Sequence, residues 1–307
     1  KRIVLEENIK YPMFGDDYFK RPQYSADLIH QEALKWLDAQ TGEQPFCGIF
    51  TYTLPHAELA QPHDSIFNDY KKKFFTDKTW GGDEGSRYNP SDHTHAHFAG
   101  MITRLDAYVG EIFKKLKEKG LDENTIVFFS SDNGPHEEGG ADPEFFGRDG
   151  KLRGLKRQCH EGGIRIPFIV RWPGHIASGT TNDHQLAFYD ILPTFYELIG
   201  DKKFPDKNKD YFDGISFAPT LLGNDKKQKE HEFLYWEFHE TDQMAVRMGD
   251  WKLIVKKGVP SLYNLKEDLH EDQDVASQNP SIVKTMLGII QREHQPSDLF
   301  KVTLPTF

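Results

Sequence analysis

Cysteine is nearly absent from this chain: Cys47 and Cys159 are the only two among 307 residues. They cannot build a disulfide framework and match no zinc-ligand spacing. Long hydrophobic runs are missing too. No stretch approaches the roughly 18 apolar residues of a membrane span, and mean hydropathy is -0.66, so no membrane partner is expected. Basic charge is in deficit, with 38 Lys and Arg against 48 Asp and Glu for a net charge of -10. That balance argues against a nucleic-acid partner, although a local basic pocket for an anion can sit on an acidic protein. There is no internal repeat, no low-complexity segment and no Asn-x-Ser/Thr acceptor with x other than Pro, the last of which fits a bacterial source. A signal-peptide pattern is also missing, but the chain opens Lys1-Arg2-Ile3-Val4 without an initiator Met, so that absence decides little. What the chain holds in quantity is core material. Hydrophobic residues make up 37% and aromatics 13%, with Phe 23 and Tyr 12, a balance that excludes disorder, collagen and coiled coil.

Punctuation and periodicity then divide the chain. Pro12, Gly15 and Pro22 break up the first 23 residues. Ser25 offers an N-cap for a helix in which Leu28, Ile29, Ala33, Trp36 and Leu37 recur at three and four. Phe46 to Thr53 reads as a buried strand stopped by Pro55-His56, and Cys47 within it as a buried structural thiol. Residues 57–92 have little periodicity and read as an excursion over a site. From His97 to Lys119 a helical pattern runs through Met101, Leu105, Val109, Ile112, Phe113 and Leu116, with Gly120 as its stop. Thr125 to Phe129 is a strand leading into Ser131-Asp132-Asn133-Gly134. Ile166 to Arg171 is another strand, and Phe188 to Ile199 a helix closed by Gly200. Such alternation predicts a parallel sheet with crossover helices, in which ligands collect beyond the carboxyl ends of the strands. His56 and the Asp132-Asn133 pair both fall there. After polar connectors at Asp201-Lys202-Lys203 and Asp225-Lys226-Lys227 come short strands over Phe233 to Phe238, Met244 to Met248, Trp251 to Val255 and Ser261 to Leu265. Gly249-Asp250 is a hairpin signal, and Asn279-Pro280 opens a last helix. This tail predicts a small antiparallel sheet with one helix packed on it.

Three places hold residues suited to chemistry. Asp132 and Asn133 at a strand end supply adjacent oxygen donors for a hard cation, Ca²⁺ or Mg²⁺, although an Asx-type turn uses the same residues. The basic loop Gly150-Lys151-Leu152-Arg153-Gly154-Leu155-Lys156-Arg157, followed by Glu161-Gly162-Gly163-Ile164-Arg165, suits a phosphate or sulfate, or is a solvated charged loop. His56, just past a buried strand, suits proton donation to a leaving group, or is structural.

Together with Met101-Ile102-Thr103-Arg104-Leu105-Asp106-Ala107-Tyr108-Val109-Gly110, Ile166-Pro167-Phe168-Ile169-Val170-Arg171-Trp172-Pro173-Gly174 and Asp190-Ile191-Leu192-Pro193-Thr194, these runs resemble the sulfatase family of the alkaline phosphatase superfamily. Tyr235-Trp236-Glu237-Phe238 and Ala245 to Lys252 resemble the C-terminal subdomain of bacterial members, and Ser131 to Gly140 resembles bacterial arylsulfatase-A-like glycan sulfatases. The resemblance implies an α/β fold: part of a doubly wound, mostly parallel sheet with flanking helices over residues 1–222, then a small α+β subdomain with an antiparallel sheet over 223–307. It implies a sulfuric ester hydrolase acting on a sulfated glycan or aryl sulfate, with a sulfated galactose or N-acetylgalactosamine as the favoured target and a periplasmic or secreted location.

Carried over by position, the resemblance makes Asp132 and Asn133 ligands of a divalent cation, usually Ca²⁺, with Mg²⁺ as the alternative. Lys156 becomes the lysine that holds the sulfate, and His56 the histidine that protonates the leaving oxygen. His136, His239 and Gln243 are substrate-side candidates, and Trp80 and Tyr88 could stack on sugars. The family's nucleophile, a formylglycine made from a Cys/Ser-x-Pro-x-Arg motif, has no counterpart, since Cys159 precedes His160-Glu161 and Cys47 precedes Gly48-Ile49. The early Asp-Asp metal pair is absent as well. The expectation is therefore the C-terminal part of a sulfatase, inactive alone, whose partner would be the missing N-terminal part of the same enzyme. Glu58 stands where the family commonly has Pro, which bears on local loop shape. Two other readings stay open: a phosphate or phosphonate ester hydrolase of the same superfamily, and a non-catalytic binder of anionic glycans.

Overall fold

The computed structural model describes residues 23–82, 88–147, 152–200 and 213–305. The irregular stretch expected before Gln23, the Asp201-Lys202-Lys203 connector and the first two residues of the basic loop, Gly150-Lys151, lie outside them. The chain divides into two compact units, residues 1–125 with 136–148, and residues 126–135 with 149–307. No described helix is long and apolar enough to cross a membrane.

The first unit is helical. α1 (Ser25–Asp38) starts one residue after its N-cap, Tyr24, and no side chain caps it, so Ser25 is the first helical residue rather than the cap. Its buried face is Ala26, His30, Ala33 and Leu37, while Leu28, Ile29 and Trp36 are exposed. Polar His30 joins the core because its ring is fully engaged. Nδ1 lies 2.8 Å from the Tyr52 hydroxyl and Nε2 3.3 Å from Glu111 Oε2, and the ring stacks on Tyr108 at 4.3 Å. α2 (Ser65–Lys73) interrupts the stretch that the sequence presents as aperiodic. Asp64 caps it, accepting from Ile66 N and Phe67 N at 3.1 and 3.4 Å, and only Phe67 is buried, which leaves a stripe too narrow to read as periodicity. α3 (Thr94–Glu118) begins where the buried Asp77 carboxylate accepts the His95 and Ala96 backbone N–H groups, both at 3.0 Å. Met101, Ile112 and Leu116 are buried as expected, and Gly120 stops the helix at φ +67°.

Phe46 to Thr53 forms no strand and pairs with none among the described residues. Phe46 and Phe50 meet the Trp36 ring edge-on at 5.8 and 5.7 Å. Cys47 and Ile49, on the alternate positions, are exposed. The buried strand and buried thiol expected here are thus corrected: Trp36 covers Phe46 and Phe50 but not Cys47 or Ile49.

In the second unit β1 (Val127–Ser130) pairs with β2 (Phe168–Arg171), and the pairing is antiparallel, Ser130 facing Phe168 and Val127 facing Arg171. A parallel neighbour was expected. The direction follows from the connection, which returns beside the end of β1 instead of crossing over. Gly134 N donates to Gly163 O at 3.0 Å, next to the one-turn helix α4 (Glu161–Ile164), so the chain re-enters the ladder at the end it left. Both sheets of the described residues are antiparallel, so the doubly wound parallel sheet does not appear among them. α5 (Ile191–Leu198) and α6 (Ala218–Leu221) complete this part.

The tail forms as expected. β3 (Leu234–Phe238), β4 (Gln243–Met248), β5 (Trp251–Lys256) and β6 (Val259–Asn264) make a sheet in chain order, followed by α7 (Pro280–Glu293). Strand alternation gives it two different faces. Met244, Val246, Leu253, Val255 and Leu262 bury against Met286, Leu287, Ile289 and Ile290 of α7. Gln243, Ala245, Arg247, Lys252, Ile254 and Tyr263 occupy the alternate positions, and this second face receives Cys159 and Glu161.

Arg247 and Lys252 are register partners on adjacent strands, where like charges repel. Glu161 resolves the conflict: its Oε2 accepts from Arg247 Nη1 at 2.9 Å and its Oε1 from Lys252 Nζ at 2.8 Å, with Glu161 and Lys252 1% and 0% exposed. Removing one partner of a buried ion pair costs about 3–5 kcal/mol. Lys252→Met is therefore expected to lower stability by about that amount in urea unfolding. Changing Glu161, Arg247 and Lys252 together to apolar residues of similar volume should recover most of the loss, and a Lys252→Met variant as stable as the parent would show that the network carries no such weight.

Candidate active site

In the first unit, His56 follows the apolar run 46–54 and is turned back by its own peptide. The His56 N–H donates to Thr53 O at 2.8 Å, and ring Nδ1 lies 2.6 Å from Ala57 O. Nε2 is 3.1 Å from Glu138 Oε2. The ring stacks on His136 at 5.4 Å and meets Tyr88 edge-on at 6.2 Å. His136 is buried, and both its nitrogens are engaged by backbone. Nδ1 accepts from Glu138 N at 3.2 Å, so Nε2 carries the hydrogen and faces Pro55 O at 3.3 Å. His136 is thus a support beneath His56.

The turn after His136 fits only glycine. Gly139 and Gly140 adopt φ +63° and +85°, and a Cβ on them would come within 2.8 Å of the Ala57 Cβ and 2.5 Å of the Trp80 Cβ. That close approach brings Glu138 to His56. Glu58 accepts from Asn89 N at 2.8 Å and from Asn89 Nδ2, tying the loop after His56 to the segment that carries Tyr88. Trp80 pairs with Ser91 through two backbone hydrogen bonds.

In the second unit, Asp132 is exposed at the carboxyl end of β1, and Asn133 beside it turns its amide N–H to Gly134 O at 2.9 Å, leaving Oδ1 as its acceptor end. A carboxylate and an amide oxygen suit Ca²⁺ or Mg²⁺ in kind. They do not suffice in number, because among the described residues no group of three His, Cys, Asp or Glu could hold a metal ion. Lys156 is partly buried, and its backbone N–H donates to Pro135 O at 2.8 Å, so the basic loop lies against the Asp132-Asn133 turn. Glycines permit this contact, since a Cβ on Gly134 would sit 1.9 Å from Gly162 O and one on Gly163 2.1 Å from Gln158 O.

The loop is fastened on its far side. Gln243 is buried, its Oε1 accepting from Cys159 N at 3.0 Å, and Thr241 Oγ1 donates to Arg157 O at 2.8 Å. Gln243 therefore holds the loop. His239 is partly exposed against the Phe300 ring at 4.8 Å. Burial alone would raise the Glu161 carboxyl, but Lys252 and Arg247 override it and hold it below the ordinary carboxylate range. Glu271 accepts from Glu161 N at 2.7 Å, and burial pushes its carboxyl up to about 7 despite Lys252. Burial also takes Cys159 up to about 11, so it is an inert thiol. Glu138, Glu161, Arg247, Lys252 and Glu271 had no assigned role in the sequence. Arg247 and Lys252 across the Gly249-Asp250 turn were the available signal, as two facing cations need an anion.

Two family models match the chain: Sulfatase over residues 1–201, and N-sulphoglucosamine sulphohydrolase, C-terminal, over residues 154–294. The N-acetylgalactosamine-6-O-sulfatase of Bacteroides thetaiotaomicron is 30% identical over 228 residues, which is 64% of this chain and 43% of that protein. Human arylsulfatase A is 37% identical over 162 residues, 50% of this chain and 29% of that protein. The crystal structure of Ps i-CgsB in complex with k-i-k-neocarrahexaose superposes with a TM-score of 0.70 at 25% identity, covering 92% of this chain and 58% of that one. The chain thus spans less than half the length of those two relatives.

The raised Glu271 carboxyl sets a pH dependence. A carboxyl protonated more readily in the folded than in the unfolded state stabilises most below its unfolded value of 4.5 and loses that contribution as pH rises through about 7. At about 1.4 kcal/mol per pH unit the loss is on the order of 3 kcal/mol. Glu271→Gln stays neutral, so its melting temperature relative to the parent should rise from pH 5 to pH 8. A difference constant with pH would refute the assignment.

Proposed function

The chain belongs to the sulfatase family, and from that premise we propose that the whole protein hydrolyses the sulfate ester of a sulfated saccharide, with a sulfated galactose or N-acetylgalactosamine as the target. The observation that carries the reading is the backbone contact of Lys156 with Pro135, which sets the basic loop against the Asp132-Asn133 turn and so brings a lysine and hard oxygen donors to one part of the fold, as an anionic ester requires. The names of the relatives support the substrate class: one is an N-acetylgalactosamine-6-O-sulfatase, and another was crystallised with a neocarrahexaose. A doubly wound, mostly parallel sheet for the whole catalytic domain, residues 1–222 forming its later part and 223–307 the antiparallel subdomain, belongs to the same proposal. So does a periplasmic or secreted location.

In this reading Lys156 binds the sulfuryl oxygens, and its ammonium stabilises the negative charge that grows there. His56 gives its proton to the leaving oxygen. Asp132 and Asn133 would hold the divalent cation, Ca²⁺ in our proposal, which when bound supplies further stabilisation of charge on the sulfuryl group. His136 and Gln243 hold His56 and the Lys156 loop in place, and His239, with Tyr88, is a candidate for saccharide contact. The nucleophile comes from outside these 307 residues, which contain no Cys/Ser-x-Pro-x-Arg run.

Full-length protein with its nucleophile matured is expected to cleave 4-nitrophenyl sulfate in preference to 4-nitrophenyl phosphate. Preference for the phosphate would favour the phosphoester reading and overturn this one. Lys156→Ala should lower kcat/KM by roughly 10²–10³-fold, the cost of losing one charge-stabilising group, and chelation by EDTA should abolish turnover until Ca²⁺ is restored. Activity untouched by EDTA would remove Asp132 and Asn133 from the metal role.

A further inference from the structure

We propose that Glu138 is the second half of the general acid: with His56 it forms a pair that holds one proton for the leaving oxygen of the ester. The inference rests on the sulfatase reading and deepens it. Its ground is the accounting of hydrogens. Ala57 O, 2.6 Å from His56 Nδ1, has none to give, so Nδ1 carries one. With Nδ1 protonated, the 3.1 Å contact between Nε2 and Glu138 Oε2 needs exchange of a single proton: an imidazolium donates to a carboxylate, or a carboxylic acid donates to a neutral ring. Both descriptions contain the same transferable proton.

The surroundings suit that role. The Glu138 side chain is 15% exposed and the His56 side chain 41%, so the pair opens on the histidine side, where an ester can reach it. Glu138 is fixed by its own N–H on His136 Nδ1 and by the glycine turn packed on Ala57 and Trp80. His136 is bonded as the Nε2–H tautomer between two backbone groups, so it brings no second proton to the contact. As the bond between sulfur and the leaving oxygen breaks, its electron pair passes to that oxygen, which takes the proton of the pair and departs as an alcohol or phenol. The sulfuryl group passes to a hydroxyl nucleophile from outside this chain, whose own proton goes to solvent, and in the later hydrolysis water gives its oxygen to sulfur, one proton to the nucleophile oxygen and the other to the pair, releasing sulfate.

The test is leaving-group dependence in the full-length protein, over aryl sulfates from 4-nitrophenyl, whose oxygen departs without a proton, to phenyl, whose oxygen needs one. Glu138→Gln keeps size and hydrogen bonding but cannot hold the proton. It is expected to lower kcat on phenyl sulfate by roughly 10²-fold more than kcat on 4-nitrophenyl sulfate, the lower range for general acid catalysis, with KM little changed. Glu138→Asp should restore part of the loss. If Glu138→Gln does not fold, Glu138→Ala carries the same expectation. Equal losses on every ester, or no loss on any, would overturn the pair while leaving the sulfatase reading intact. Wild-type protein that cleaves none of the series would overturn the reading itself.

Discussion

Glu161 stands between two cations that the hairpin of β4 and β5 forces together, and the second unit is organised by that constraint. The register that lets Met244, Val246, Leu253 and Val255 share one apolar face also sets Arg247 opposite Lys252 on the other. A carboxylate must enter from outside the sheet, and the residue that does so begins a turn of only four residues. Burial of three charges is costly, but each has a partner of opposite sign within 3 Å, which is the condition under which such a cluster is tolerated. Local requirement and long-range packing agree here.

From this anchor the order of the preceding loop follows. Glu161 fixes Gly162 and Gly163, whose missing side chains admit the backbone of residues 153–158, while that of Gly134 admits Gly162 O, and these contacts hold Lys156 against the turn of Asp132 and Asn133. In the first unit glycine acts in the same way: Gly139 and Gly140 let Glu138 approach His56. In both places an acidic or basic side chain is positioned by close backbone packing, and large side chains are absent where the backbone must touch.

Much of this was legible in the sequence. The helices around Met101 to Leu116 and after Pro280, and the four strands of the tail, follow directly from apolar spacing and turn residues. So does the location of Asp132 at a strand end. Other features escaped for physical reasons. α2 buries one residue, Phe67, so its pattern is carried by the cap at Asp64 alone. The strand direction of β2 depends on a connection whose compactness rests on Gly134 and Gly163, and periodicity carries no information on that. Cys47 has an apolar neighbourhood in sequence, yet only alternate residues of that run are covered, by Trp36. The role of Glu138 lay in its distance to His56, 82 residues earlier in the chain, a contact that no local pattern reports.

The separation along the chain of the Glu161 contacts has a consequence for synthesis. The partners of Glu161 lie 86, 91 and 110 positions further on for Arg247, Lys252 and Glu271. Because chains emerge N-terminus first, at about 5–20 residues per second, the loop bearing Lys156 leaves the ribosome seconds before its partners in the tail exist, with only the contacts to Gly134 and Pro135 available. During that interval Glu161 is an ordinary hydrated carboxylate on a glycine-rich segment. A nascent chain halted after β3 would carry that loop without its fastening to the tail, however completely its earlier helices had formed.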